Sequence, residues 1–324
     1  MQQQQKSNSS QDHPVIFGEI LYDCFPDGKR VLGGAPFNVA WHLHGFGLQP
    51  LMITRIGEDA MGTEAFETMQ AWHMNTQGVQ RDPTHPTGKV QVTIENGAPH
   101  FDIPLNQAYD QIETSAALAA LQHTPPALLY HGTLALRHAQ SQQAWQTLVE
   151  QLNVPIFLDV NLRAPWWQKD LLEHVLKTAT WVKLNEDEMA IIEPRFKTYV
   201  ERDLILSTHD RIIGDEDMLE AACQRYGLTM LVVTLGEKGA LLKKPGEPLV
   251  KTATPKVATI VDSVGAGDAF SAVMLSGLIH NWPPATILER AVVFAAALCQ
   301  IRGATTRDNL LYQQTLEQWS QSHE

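Results

Sequence analysis

Short aliphatic and β-branched runs alternate along the chain with longer amphipathic stretches. Residues 15–21, 51–56, 128–131, 155–160, 181–184 and 230–235 read as strands. Most are apolar throughout, the pattern of strands buried on both faces of a parallel sheet. Between them, residues 36–46, 63–73, 141–152 and 171–178 carry helical spacing, with Pro36 suited to a first turn and Gly45 or Gly47 to its end. This repeated βαβ order predicts a three-layer α/β fold with a mostly parallel central sheet flanked by helices.

One stretch departs from that style. Residues 89–103 alternate Val90, Val92 and Ile94, reach Asn96-Gly97, and resume with Phe101 and Ile103. That pattern predicts an antiparallel hairpin with a type I′ turn, projecting from the core as a flap or small second sheet. A second hairpin is predicted over 239–250, turning at Pro245-Gly246. The charged, irregular stretch 194–217 reads as a surface insertion. Residues 1–13 read as a disordered polar tail before a single domain over 14–324.

Composition narrows the function classes. Lys and Arg total 24 against 36 Asp and Glu, and the net charge of -12 opposes nonspecific binding to nucleic acid or anionic lipid. Cys24, Cys223 and Cys299 form no CxxC pair, which suits a reducing compartment and argues against a disulfide scaffold. The polar start has no apolar leader, and no run reaches the roughly 18 to 20 apolar residues of a membrane span. A cytoplasmic protein with no membrane contact is the expectation.

In an open parallel sheet, ligands bind beyond the carboxyl ends of the strands, so polar residues just after apolar runs are the first candidates. They are Asp23; Asp159, Asn161 and Arg163 in DVNLR; Asn185 and Glu188 in KLNEDE; and Thr234, Gly236 and Gly239 in TLGEKG. The sharpest stretch is VDSVGAGDAF, residues 261–270, leading into a helix that packs closely through Ala272, Ser276 and Gly277. Gly265, Ala266 and Gly267 have little or no side chain, so their amides can approach an anion at the helix N-terminus. Asp268 in the same turn can take a proton from a substrate hydroxyl while those amides stabilise a transferring phosphoryl group. A plain glycine turn capped by Asp268 is the competing reading.

A second glycine cluster, Gly33-Gly34, opens another helix, and Asn38 one turn in can donate to and accept from a polyol. Its alternative is a structural turn with an inward Asn. Asn185 and Glu188, three apart, either face a hydrated Mg²⁺ or simply start a helix. The thirteen histidines show no metal-ligand spacing and read as surface or core residues, and Trp166-Trp167 either floors a pocket or packs. Lys243, Lys244 and Lys251 read as solvated hairpin residues. Two nucleotide motifs fail: Phe270 occupies the third dinucleotide-fingerprint position, and Thr63 and Glu64 follow the GxxxxG of residues 57–62.

Taken together and in order, these residues resemble the PfkB-type, ribokinase-like sugar kinases. GGAPFNVAWHLHGFG is similar to the family's amino-terminal glycine motif and DSVGAGDAF to its carboxy-terminal one. TRIGEDAMG, PTGKVQV, DVNLR, KLNEDE and VVTLGEKGALL follow in family order between them, and the likeness runs from Val15 to about Thr306. GEILYDCFPDG, LGGAPFNVA and FLDVNLRAPWW are most similar to fructokinases.

The resemblance implies roles. Asp268 is then the base, Gly265, Ala266 and Gly267 the anion hole, and Asp23, Gly33, Gly34, Asn38 and Arg163 the sugar site. Thr234, Gly236 and Gly239 line the ATP site with Asn185, while Glu188 meets Mg²⁺ through water. Asp262 and the Gly303 loop mark a monovalent-cation site, such as one for K⁺. Segments 22–33 and 88–105 form a lid that also makes a homodimer interface. Two departures stand out: Ser263 replaces the usual Thr, and Ala291-Val292-Val293-Phe294 stands where many members place an Asn beside the adenine.

The implied activity is transfer of the ATP γ-phosphoryl group to the primary hydroxyl of a ketohexose, fructose foremost. Kinases of 2-keto-3-deoxygluconate, ribose or nucleosides are alternatives in the same class. A noncatalytic sugar sensor would keep the fold without turnover, but the intact Asp268 turn argues against it. An NAD-linked oxidoreductase lacks its fingerprint.

Overall fold

Alternation along a buried strand decides which layer each side chain meets. In β1 (Pro14–Phe17), Val15 and Phe17 join one buried cluster and Ile16 the other, so the sheet has a core on each face. The computed structural model describes residues 13–95, 98–122, 125–196 and 214–321. Residues 1–12 of the predicted tail, the Asn96-Gly97 turn and the 197–213 part of the predicted insertion lie outside them.

The remaining strands are β2 (Leu21–Cys24), β3 (Arg30–Gly33), β4 (Leu51–Gly57), β5 (Val79–Asp82), β6 (Gly88–Glu95), β7 (Ala98–Asp102), β8 (Leu128–His131), β9 (Ile156–Asp159), β10 (Trp181–Asn185), β11 (Met230–Thr234), β12 (Ala240–Lys243) and β13 (Val250–Thr252). Nine of the thirteen form one sheet in the order β13-β12-β11-β10-β9-β8-β1-β4-β5, parallel from β11 to β5 and antiparallel at the β12-β13 edge. The helices are α1 (Ala35–Gly45), α2 (Ala60–Ala71), α3 (Thr114–Leu121), α4 (Ala139–Leu152), α5 (Lys169–Thr178), α6 (Glu186–Ile192), α7 (Gly214–Tyr226), α8 (Ala266–Ile279), α9 (Pro284–Leu298) and α10 (Asn309–Gln321). None of the described helices is long and apolar enough to cross a membrane.

The expected single strand over 15–21 is two strands in different sheets. The chain turns at Gly18, whose φ is +152° and where a Cβ would lie 2.4 Å from Pro36 Cγ. Leu21 to Cys24 then begin a four-stranded sheet, β3-β2-β6-β7. Its β6-β7 pair is the hairpin that the alternation predicts, with Val92 opposite Phe101. The β12-β13 hairpin also forms where expected. Residues 214–217, expected to be irregular, begin α7.

Helix α2 starts three residues before the predicted Thr63 because Asp59 caps it. Asp59 accepts hydrogen bonds from the Gly62 amide (2.7 Å), the Thr87 hydroxyl (2.7 Å) and the Thr87 amide (2.8 Å). One carboxylate thus ties the start of α2 to the loop that enters the small sheet. Asp59→Ala is expected to cost about 2 kcal/mol, the loss of a cap with an amide left unpaired, read as an earlier urea midpoint. An unchanged midpoint would mean the tie contributes nothing.

Candidate active site

Helix α8 opens at the carboxyl edge of the main sheet, where the first-turn amides of a helix have no partners of their own. Gly265 caps it with φ +80°, and a Cβ there would lie 2.4 Å from the Ala304 Cβ, so only glycine fits. Asp268 follows in the first turn. Its Oδ2 accepts a hydrogen bond from Asn38 Nδ2 at 2.7 Å, joining two motifs 230 residues apart. Asn38 sits in α1 one turn after Gly34, whose φ of +108° brings the backbone within 2.6 Å, measured from a built Cβ, of the Glu19 carbonyl. The Asn38 Oδ1 is buried without a partner.

Burial pushes the Asp268 carboxyl up to about 6, and the Asp159 charge adds to the rise; Asn38, Lys183 and Arg163 pull it back. Asp268 therefore gains its proton as pH falls through about 6, already in mildly acidic solution. Beneath it, Lys183 donates to both oxygens of Asp159 at 3.0 and 3.1 Å. Burial works against the Lys183 charge, yet Asp159, with Glu188 and Asp268, holds it above the ordinary lysine value.

Arg163 is drawn to the same place. Asn161 takes a left-handed φ of +42° after β9 and turns DVNLR back, and the Arg163 charge acts on Glu19, Asp23 and Asp268. Burial raises Asp23, and Arg163 opposes it. Arg137 lies 4.9 Å from the Trp166 ring and 5.2 Å from Tyr109, with a bidentate bond to Asp110, so Trp166 packs against a cation.

On the other side of the α8 turn, a cavity of about 280 Å³ is walled by Val257, Ile260, Phe270, Val292, Ala295 and Ala296. Thr234, Gly236 and Gly239 edge it together with Ala266 and Gly267. Gly239 is obligatory, since a Cβ would fall 1.9 Å from the Thr252 carbonyl oxygen. The α9 stretch, with Val292 in place of an Asn, does line this cavity and makes that wall apolar.

The family model for pfkB family carbohydrate kinases matches residues 22–309. The chain belongs to this family. It is a carbohydrate kinase. Curated relatives include a fructokinase of Klebsiella pneumoniae, 29% identical over 87% of this chain and 89% of that protein, and one of Escherichia coli, 27% identical over 81% and 83%. Among solved structures, a fructokinase from Xylella fastidiosa with bound ATP covers 97% of this chain and 100% of its own at a TM-score of 0.76 and 19% identity, a likeness of fold.

The fold brings Asp268, Gly265, Ala266, Gly267, Asn38 and Arg163 of this kinase to one edge, with Thr234, Gly236 and Gly239 alongside. Asn185 and Glu188 instead complete each other. Asn185 Oδ1 accepts from the Glu188 amide (2.9 Å), and Glu188 accepts from the amides of Asn185 (2.9 Å) and Leu162 (2.8 Å). The helix-start reading of KLNEDE is thus realised, and Glu188 also pins DVNLR. Asp262 similarly accepts from the amides of Val264 (3.1 Å) and Gly303 (3.0 Å). Among the described residues no group of three or more His, Cys, Asp or Glu is arranged to hold a metal.

Lys243, expected to be solvated, is 3% exposed and paired with Glu216 and Glu220. His42 and His131 are core residues, as expected, and burial pushes both down to about 4. Two site residues escaped the sequence reading. Lys183 was signalled by a charge inside an apolar strand, which has to find a partner. Glu19 is 4% exposed with an unpartnered oxygen, and burial raises it to about 7. It was hidden because residues 15–21 read as one strand.

Proposed function

We propose that this kinase transfers the γ-phosphoryl group of ATP to the primary hydroxyl of fructose, giving fructose 6-phosphate. The observation that carries the reading is the 2.7 Å bond between Asn38 and Asp268 at the glycine-capped start of α8. It supports a hydroxyl held between the two motifs. Asp268 takes the hydroxyl proton as the oxygen attacks in line, and the amides of Ala266 and Gly267 stabilise charge on the phosphoryl group. Asn38 orients the carboxylate, while Gly33, Gly34 and Asp23 meet sugar hydroxyls. The apolar cavity beside α8 takes the base, with Thr234, Gly236 and Gly239 along its edge.

Mg²⁺ supplies charge neutralisation on the phosphates. Because Glu188 already accepts two backbone amides, it and Asn185 would meet the hydrated ion through water. Asp262 and the Gly303 loop, tied to each other at 3.0 Å, would hold K⁺. The four-stranded sheet serves as the lid, and its exposed Phe101 supports its use as a homodimer face.

The charge around the sugar site favours a neutral substrate. Asp23 and Asp268 oppose the Arg163 charge while Lys183 and Asp159 balance each other, so an anionic 2-keto-3-deoxygluconate meets a poorer field than a ketohexose. The test is ADP release with Mg-ATP and K⁺ across fructose, glucose, mannose, ribose, 2-keto-3-deoxygluconate and adenosine. Selective turnover with fructose is expected. Preference for the sugar acid would overturn the charge argument, and silence on all six with thermal stabilisation by one would favour a sensor.

A further inference from the structure

Strand β10 is buried on both faces, yet Lys183 lies in its middle, 8% exposed. An ammonium group there loses its hydration and survives only with a matched partner. The partner is Asp159, 1% exposed and directly across in the parallel β9-β10 register. The pair does not end in itself. Lys183 Nζ also reaches the Gly267 carbonyl at 3.4 Å, and Asp159 Oδ2 accepts from Ser271 Oγ at 2.7 Å and Tyr130 OH at 3.4 Å. Ser271 Oγ in turn reaches the Gly267 carbonyl at 3.0 Å. A methyl group built on Gly267 would come within 3.2 Å of Lys183 Nζ. The two charges therefore touch α8 on both sides of Asp268, one residue before it and three after.

We propose that Lys183 and Asp159 are a positioning pair for Asp268: through Gly267 and Ser271 they hold the first turn of α8, and through their opposed charges they set the pH at which Asp268 can accept a proton. The proposal rests on Asp268 being the base. The groups facing Asp268 are Glu19 after β1, Asn38 on α1, Tyr130 on β8, Asp159 on β9, Arg163 after it, and Lys183 on β10. Lys183 favours the carboxylate and Asp159 opposes it, and buried charges are screened little by salt.

The test uses the full chain and the single-turnover rate of phosphoryl transfer to fructose, or to the sugar that the panel above selects, against pH. Lys183→Met is expected to move the acid limb up by about one pH unit and Asp159→Asn to move it down comparably. The double variant, which removes both charges, is expected near the wild-type limb. A limb that stays put in both single variants while the rate falls would leave the pair a structural role only and overturn the proposal. Should Lys183→Met not fold, Lys183→Arg and Ser271→Ala still decide. The first keeps the charge and is expected to keep the limb; the second cuts one strut and is expected to slow transfer about tenfold. A shifted limb in Lys183→Arg or a wild-type rate in Ser271→Ala overturns the proposal. Asp268→Asn, run alongside, separates the failures: turnover near wild type there ends the base reading, whereas a dead variant with immobile limbs ends only the pairing.

Discussion

Asp268→Asn is expected to lower turnover about 10³-fold or more while equilibrium binding of fructose and ATP changes little. The substitution removes the proton acceptor and nearly nothing else. Asn is the same size, and its amide oxygen can still accept from Asn38 Nδ2, the 2.7 Å bond that orients this side chain. The pH dependence follows from the same group. Burial, aided by Asp159, raises Asp268 to about 6, so wild-type turnover is expected to be full well above that pH and to be lost as pH falls through it. The variant has no such limb. Calorimetric titration with each ligand, beside the ADP-release rate, checks both halves. Loss of binding along with turnover would give Asp268 a structural role instead.

Gly265→Ala is expected to cut turnover by about 10²- to 10³-fold through the anion hole. Two costs coincide at this position. Its φ of +80° charges any other residue about 1–2 kcal/mol. The added methyl also meets Ala304 at 2.4 Å to Cβ and 2.5 Å to Cα, a contact that only backbone movement relieves. That movement displaces the cap of α8 and with it the amides of Ala266 and Gly267. Gly246→Ala is the control: φ is +74°, but nothing lies within 4 Å of the new Cβ, and the position turns the β12-β13 hairpin. It is expected to lower the melting temperature and leave turnover intact. Equal losses of turnover in the two variants would mean that α8 tolerates the shift and the anion hole is not the sensitive part.

Much of the site is written locally. VDSVGAGDAF carries its own instruction, since small residues at a helix start leave unpaired amides beside a carboxylate. The hairpin alternation of Val90 and Val92 against Phe101 likewise specifies an antiparallel pair without reference to the rest of the chain. His42 and His131 are the core residues that the lack of ligand spacing allowed.

What misled the reading was competition between local preference and a distant neighbour. Residues 15–21 look like one strand because every side chain but two is apolar, yet Gly18 must make way for Pro36 and the chain leaves for another sheet. Lys243 lies in a hairpin, a solvated setting, until α7 brings Glu216 and Glu220 over it.

The order of apolar runs and glycine turns, read alone, determined the layered α/β fold, the family and the identity of the acid at the start of α8, because each depends on residues close together in the chain. Tertiary structure decided that Asn38 holds that acid, that Lys183 and Asp159 lie beneath it, and that burial raises it to about 6. Those properties belong to charges and hydrogen bonds between residues from 24 to 230 positions apart, and such pairs acquire an energy only when the sheet register and the packing of α1 and α8 bring them within a few ångströms.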